Sequence, residues 1–183
     1  VSFIFFDKTI AFYMDTITKQ TEHFWDAVTE FGYSEYYLIP GLIIWILFRN
    51  GDKRMMEIGK WMFLSVAASG ILINIVKFIF ARNRPTMLIS HDEFGFTFFH
   101  WIYEQTSFPS GHSATAFSAA AVLAYFIPTR YSYLIFITAA FVAFSRVAIN
   151  KHFLSDIIIG SLLGYAVSWY LMQKYTETGR KTA

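Results

Sequence analysis

The sequence predicts an all-α protein, a polytopic transmembrane bundle of about five to six helices with an amphipathic interfacial helix at its N-terminal end. Three observations carry this expectation. First, the 183 residues are 55% hydrophobic and 20% aromatic, and only 15% are charged, where a soluble domain carries about a quarter; mean hydropathy is +0.41. Second, apolar runs of about 20 residues, the length that crosses a bilayer, recur along the chain. Third, the connections 49–60 and 128–130 carry basic residues, whereas the long connection Thr86–Phe108 carries acidic ones and no Lys or Arg. The absence of Cys excludes a disulfide framework and thiol chemistry. A net charge of +2 with no basic run gives no footprint for nucleic acid.

The elements follow in order. Val1–Phe6 is apolar, but Asp7 and Lys8 interrupt it and no small-residue cleavage site follows, so it is not a complete signal peptide. Between Met14 and Phe31, apolar side chains recur at spacings of three and four (Met14, Ile17, Thr21, Phe24, Val28, Phe31). Asp15, Lys19, Glu22, Asp26 and Glu30 fill the other face, which predicts an amphipathic helix, either lying in the interface or packed on the other spans. Tyr37–Phe48 reaches spanning length if its helix starts near Tyr33, with Pro40 close enough to the start to be tolerated. Trp61–Ala81, Gly111–Ile127, Tyr131–Ile149 and Phe153–Leu171 are further spans. No repeat or linker divides the chain. One domain is expected, with residues 1–32 as an N-terminal amphipathic region, 33–171 as the transmembrane core and 172–183 as a cytoplasmic tail.

Orientation follows from the basic residues. Arg49, Lys53, Arg54 and Lys60, then Arg130, then Lys174, Arg180 and Lys181 fall on one side if the spans alternate. The long connection Thr86–Phe108 falls on the other. It contains no Lys or Arg, but has Asp92, Glu93 and Glu104, and so is expected to face the periplasm or cell exterior.

Three clusters break the apolar pattern, all at the outer ends of spans. Ionisable residues at membrane depth are costly and mark function. The first is Lys77 and Arg84–Pro85, together with Arg82. Lys77 and Arg84 lie about two helical turns apart and are expected to share a face, with Pro85 ending the helix. Desolvated together they make an anion site, Arg84 as a planar fork and Lys77 as a point charge; read alone, they could equally be snorkelling residues. The second is Pro109-Ser110-Gly111-His112. Ser110 is a natural N-cap, Gly111 permits close backbone approach, and the exposed N–H groups favour an anion beside His112. The third is Ser145-Arg146, followed by His152 and Asp156. His152 and Asp156 are four apart, so the carboxylate can hold one imidazole N–H and leave the other ring nitrogen a better nucleophile.

Taken together, Lys-x6-Arg-Pro, Pro-Ser-Gly-His and Ser-Arg-x5-His-x3-Asp resemble the signatures of the type 2 phosphatidic acid phosphatase (PAP2) superfamily, over roughly Tyr33 to Leu171. The resemblance implies an all-α bundle of haloperoxidase-like core and a metal-free phosphatase without cofactor. It implies that His152 attacks phosphorus, that Asp156 orients His152, and that His112 protonates the leaving oxygen and later activates water. Lys77, Arg84, Arg146, Ser110 and the Gly111 amide would hold the phosphate oxygens. The Asp156 carboxylate should raise the proton affinity of His152 against the pull of the cations, and two titrating imidazoles predict a bell-shaped rate profile.

The stretch Phe94-Gly95-Phe96-Thr97-Phe98-Phe99 with Ser107-Phe108-Pro109-Ser110 looks like bacterial lipid A 1-phosphatases. It also resembles phosphatidylglycerophosphate and undecaprenyl pyrophosphate phosphatases. The partners implied are a phosphorylated membrane lipid and the bilayer, in a bacterial inner membrane. Bacterial relatives often carry a further helix first, of which Val1–Phe6 would be a remnant. His23, His91 and His100 lack a partner at motif spacing and read as surface residues, and Asn74 reads as support for Lys77 or as interhelical glue. A haem protein using His112 and His152 would have no use for three nearby cations. A serine protease using Ser110 or Ser113 would need an oxyanion hole instead, and a binding or transport protein would need no oriented His152–Asp156 pair.

Overall fold

A computed structural model describes residues 5–181 of the chain, with side chains through residue 174. Residues 1–4 of the expected helix remnant, and the side chains of Arg180 and Lys181, lie outside the described part. Among the described residues there are eight α-helices. They are α1 (Asp7–Ile17), α2 (Glu22–Glu30), α3 (Glu35–Phe48), α4 (Lys53–Phe80), α5 (Pro85–His91), α6 (Gly111–Phe126), α7 (Thr129–Ala148) and α8 (Leu154–Lys181), with one 3₁₀ turn at Tyr103–Gln105. Within the described part, four stretches are long and apolar enough to cross a membrane: Glu22–Phe48, Lys53–Phe80, Thr129–Ala148 and Leu154–Lys174. The chain is an all-α, multi-pass membrane protein.

Helix α6 is the axis. It packs on α4, α7 and α8, and apart from Val122 its buried side chains are small: Ser113, Ala114, Thr115, Ala116, Ser118, Ala119 and Ala120. Small residues let helix backbones approach in lipid, where association relies on packing rather than on a hydrophobic drive. Helix α8 matches them with Gly160 and Gly164. A Cβ on Gly160 would lie 2.4 Å from the Ser110 carbonyl oxygen, and one on Gly164 would lie 2.1 Å from that of Ala114. Buried Ser118 and Ser168 hydroxyls pair across the same interface at 2.7 Å. Gly41 and Gly59 serve the α3–α4 hairpin in the same way. Large apolar side chains such as Leu47, Ile71, Ile137 and Leu162 point outward, as a lipid-facing surface requires.

At 16 residues α6 is about 24 Å long, less than a bilayer core. The Arg54 guanidinium donates to the Phe126 carbonyl at 2.6 Å and ties the C-terminal end of α6 to the start of α4. At the other end Gly111 faces Ile73, seven residues, or about 10 Å, short of the end of α4 at Phe80. The first turn of α6 is therefore recessed within the bundle.

Two expectations are corrected. Met14–Phe31 is not one helix, because residues 18–21 form a turn between α1 and α2. The Thr18 hydroxyl bonds to the Met14 carbonyl and that of Thr21 to the Thr18 carbonyl, local bonds that compete with helix continuation. Helix α1 then packs on α5, α7 and α8, and α2 on α7. The connection after α4 also begins differently. Ala81 turns into the left-handed region at φ 35°, Arg84 is extended, and Pro85 starts α5 rather than only ending α4. The rest of the connection folds back on this segment, with Asn83 N–H donating to Gly95, Ser107 N–H to Arg82 and Arg84 N–H to Glu104.

Replacing Gly164 with Leu is expected to abolish the folded, monodisperse protein in detergent, since overpacking against backbone exceeds the usual cost of about 1–3 kcal/mol. Gly70→Ala, at a helical glycine with open space around its Cβ position, is expected to leave the thermal midpoint unchanged or slightly raised.

Candidate active site

The recessed end of α6 meets the first turn of α8. Ser110 is the N-cap of α6, and its own N–H donates to the Asp156 carbonyl at 3.0 Å. The turn from α7 to α8 is held by the Arg146 carbonyl, which accepts from the N–H groups of both Lys151 (3.0 Å) and His152 (3.1 Å). Asn150 supplies the left-handed residue of that turn at φ 51°, and its amide donates to the Ala11 carbonyl of α1. His152 is thereby placed in the interior, 3% exposed, beside the fully buried Asp156.

The Asp156 carboxylate is occupied on both oxygens. Oδ1 accepts from Arg82 at 2.6 Å. Oδ2 accepts from the Ser107 hydroxyl at 2.5 Å and from the Phe153 N–H at 2.9 Å, the latter a capping contact from the first turn of α8 back to its N-cap. His152 Nδ1 lies 3.7 Å from Oδ2 and 3.5 Å from the Ser107 hydroxyl. The four-residue spacing thus brings ring and carboxylate face to face, but beyond direct hydrogen-bond length. The expected gain in proton affinity from Asp156 is overridden. Burial, and then the charges of Arg84, Lys77 and Arg146, hold the His152 imidazole well below its usual pKa.

The three expected cations converge here by different routes. Lys77 and Arg84 do not share a helix face, since α4 ends at Phe80; they meet instead at one acceptor. Lys77 Nζ donates to the Thr106 carbonyl at 2.5 Å, and Arg84 reaches the same oxygen at 3.4 Å. Arg84 also donates to the carbonyls of Tyr103 (2.7 Å) and Lys151 (2.8 Å) and stacks on the Tyr103 ring at 3.9 Å. Arg146 donates to the Thr29 hydroxyl of α2 at 2.9 Å, and its Nε is buried without a hydrogen-bond partner. Among the described residues none of these three has a carboxylate within ion-pair distance. Neutral acceptors fix their positions and leave their charge for an anion.

His112 lines a cavity of about 200 Å³ with Tyr33, Ser34, Asn74, Lys77 and Gly111. Its Nε2 is buried and unpartnered. Its ring stands edge-on to Tyr33 at 4.8 Å, and Gly32 fits against it so closely that a Cβ there would lie 2.7 Å away. A Cβ at Gly111 would find nothing nearer than 3.9 Å, so packing does not demand that glycine, whereas approach of a ligand to its backbone would. Asn74 lines the cavity but bonds to the Gly70 carbonyl rather than to Lys77. His23, His91 and His100 are exposed. The sequence reading missed Ser107, Thr29 and Asp7. Ser107 was visible only as a neighbour of the Pro-Ser-Gly-His motif, and Thr29 and Asp7 carry no motif.

A helical bundle that sets one buried and one half-buried imidazole among three cations with no carboxylate partner among the described residues, at the recessed end of its central helix, is built as an integral membrane phosphoester hydrolase. The chain belongs to the PAP2 superfamily, whose profile matches residues 59–180, and is a PAP2 lipid phosphatase. Among its relatives, a lipid A 1-phosphatase of Rhizobium johnstonii is 28% identical over 182 residues, covering 93% of this chain and 72% of the relative. An undecaprenyl-diphosphatase of Sulfolobus acidocaldarius is 29% identical over 76% of this chain and 64% of its own length. The crystal structure of Aquifex aeolicus LpxE superposes with a TM-score of 0.70 at 23% identity, over 90% of this chain and 93% of that one. A PAP2-type phosphatidylglycerolphosphate phosphatase from Bacillus subtilis gives 0.69 at 23% identity, over 94% and 85%. At that identity these two structures establish the fold.

The depressed His152 pKa has a consequence for stability. An unfolded imidazole binds a proton below about pH 6.5, whereas folded His152 resists it. The unfolded chain then holds more protons, so this contribution is present above that pH and is lost as the pH falls below it toward the lower folded value. The thermal midpoint is expected to drop from about pH 7 to about pH 5, and to drop less in His152→Gln.

Proposed function

We propose that this chain dephosphorylates an anionic membrane lipid without a metal, through a phosphohistidine on His152, and that its substrate is the 1-phosphate of lipid A. The observation that carries the chemistry is His152 buried among Lys77, Arg84 and Arg146, three cations held by neutral acceptors. These side chains, with Ser110 and the Gly111 amide, bind the phosphate oxygens and oppose the charge of the transferring phosphoryl group. His152 Nε2 attacks phosphorus. The N–P bond forms as the P–O bond to the lipid breaks, and the departing oxygen takes its proton from His112. Water then attacks the phosphohistidine and gives a proton to His112; the N–P bond breaks and inorganic phosphate leaves. Asp156 faces the Nδ1 side of the ring and balances the positive charge that the imidazole acquires.

Lipid A is favoured by the near-full-length similarity to a lipid A 1-phosphatase. The similarity to an undecaprenyl-diphosphatase makes a polyprenyl pyrophosphate the next substrate to try. The basic connections 49–53 and 128–130 stand at the opposite end of the bundle from His152, and the positive-inside rule then turns the site to the periplasm of an inner-membrane protein.

Phosphate release would be measured with EDTA present on lipid A, phosphatidylglycerophosphate, undecaprenyl pyrophosphate and phosphatidic acid. Wild type is expected to prefer lipid A, His152→Ala to be inactive, and Arg146→Ala to lose on the order of 10²–10³ in kcat. Preference for another lipid would reassign the substrate. Equal release by His152→Ala would remove the nucleophile, and no release from any lipid would leave an anionic-lipid binding protein. The rate of wild type is expected to be bell-shaped in pH, falling on the acid side as His152 takes a proton and on the alkaline side as His112 loses one.

A further inference from the structure

Arg82 differs from the other buried cations of the site. It is completely buried, and it lies between two carboxylates. One terminal nitrogen donates to Asp156 at 2.6 Å and to the Ser155 hydroxyl at 2.7 Å, and the other donates to Asp7 at 2.9 Å. Its guanidinium also packs on the faces of Phe153, at 4.1 Å, and of Phe94 and Phe96. Asp7, 1% exposed, belongs to the first turn of α1. Its carboxylate accepts from the Ser155 N–H at 3.0 Å and from the Ser155 hydroxyl at 2.5 Å, so it caps α8 from another helix. A continuous chain of buried charged groups therefore runs from α1 through Arg82 to Asp156, and ends at the ring of His152.

We propose that Asp7 is a positioning residue for the reaction, acting through Arg82 to set the place and charge of the Asp156 carboxylate behind His152. The inference rests on the reading of His152 as nucleophile. A guanidinium facing Asp156 alone would draw the carboxylate toward itself and neutralise it just where the imidazole becomes positive. Asp7 takes the second face of the fork. It fixes the guanidinium plane and offsets its charge, which leaves Oδ2 of Asp156 directed at the ring. The groups that set the charge of His152 are then Lys77 from α4, Arg84, His112 from α6, Arg146 from α7 and Asp156 from α8, with Arg82 and Asp7 behind Asp156. Removing the negative charge of Asp7 disfavours the imidazolium. It lowers the rate of attack and moves the acid limb of kcat/KM to lower pH.

The test compares wild type, Asp7→Asn and Asp7→Glu, purified in detergent, on the lipid of the panel above that wild type cleaves fastest, with His152→Ala as reference. Asp7→Asn is expected to lose about 10- to 100-fold in kcat, the usual cost of an outer-shell partner. KM should be unchanged and the acid limb displaced to lower pH. Asp7→Glu keeps the charge and is expected to keep the limb in place. Wild-type kcat in Asp7→Asn would overturn the proposal. So would a kcat loss with an unmoved acid limb and a lowered thermal midpoint, which is the behaviour of a simple tether for α1. Should Asp7→Asn fail to fold, Ser155→Ala removes hydrogen bonds to both Asp7 and Arg82 without changing charge; a lower kcat with the limb in place and the thermal midpoint unchanged supports the proposal, whereas a wild-type kcat, or a loss that comes with a lowered thermal midpoint, overturns it. Activity retained by His152→Ala would instead fell the nucleophile reading, and this inference with it.

Discussion

The site depends on how closely α6 and α8 approach. Gly160 and Gly164 leave no room for a Cβ against the backbone of Ser110 and Ala114. That contact lets the Ser110 N–H reach the Asp156 carbonyl. The motif opening α6 and the motif opening α8 are more than forty residues apart in sequence, yet they become two sides of one recess. The small residues along α6 are the sequence counterpart of this constraint. A bulky side chain on either helix would separate the two imidazoles before it disturbed any charge.

Given that framework, the buried cations divide by how they are compensated. Arg82 has carboxylates on two sides, which offsets the desolvation of its charge within the fold. Among the described residues, Lys77, Arg84 and Arg146 have carbonyl and hydroxyl oxygens only. Those acceptors orient a cation without neutralising it, so full compensation awaits an anion. Burial, joined by the same field that suits phosphate, keeps the neighbouring His152 from taking a proton, and a neutral imidazole is the form that the proposed attack requires. On the proposed mechanism, anion binding and nucleophile activation thus draw on the same cluster of charges.

Much of this was legible in the sequence. The spans are apolar runs, and the three motifs place most of the chemistry because each sits at a helix end. What failed was geometry between elements. Spacing suggested Lys77 and Arg84 on one helix face, but the extended Arg84 before Pro85 and the left-handed Ala81 break that helix. They converge through the Thr106 carbonyl, which no periodicity reveals. The spacing of His152 and Asp156 gave the right neighbours but the wrong bond, because Arg82 and Ser107 occupy the carboxylate first. Asp7 was read as an interruption of an apolar run. Its partners Arg82 and Ser155 lie 75 and 148 residues away, a separation across which local patterns carry no information.

The short α6 has a consequence of its own. Its first turn stops about 10 Å below the end of α4, so on the proposed mechanism the reacting phosphorus sits deep rather than at the rim. A phosphate that reaches it must shed much of its hydration as it descends. An acyl anchor supplies both the confinement and the local concentration for that descent, as tethering does for any second binding event. A freely dissolved phosphate ester has neither. Depth alone therefore sorts anchored from unanchored substrates before any head group is recognised.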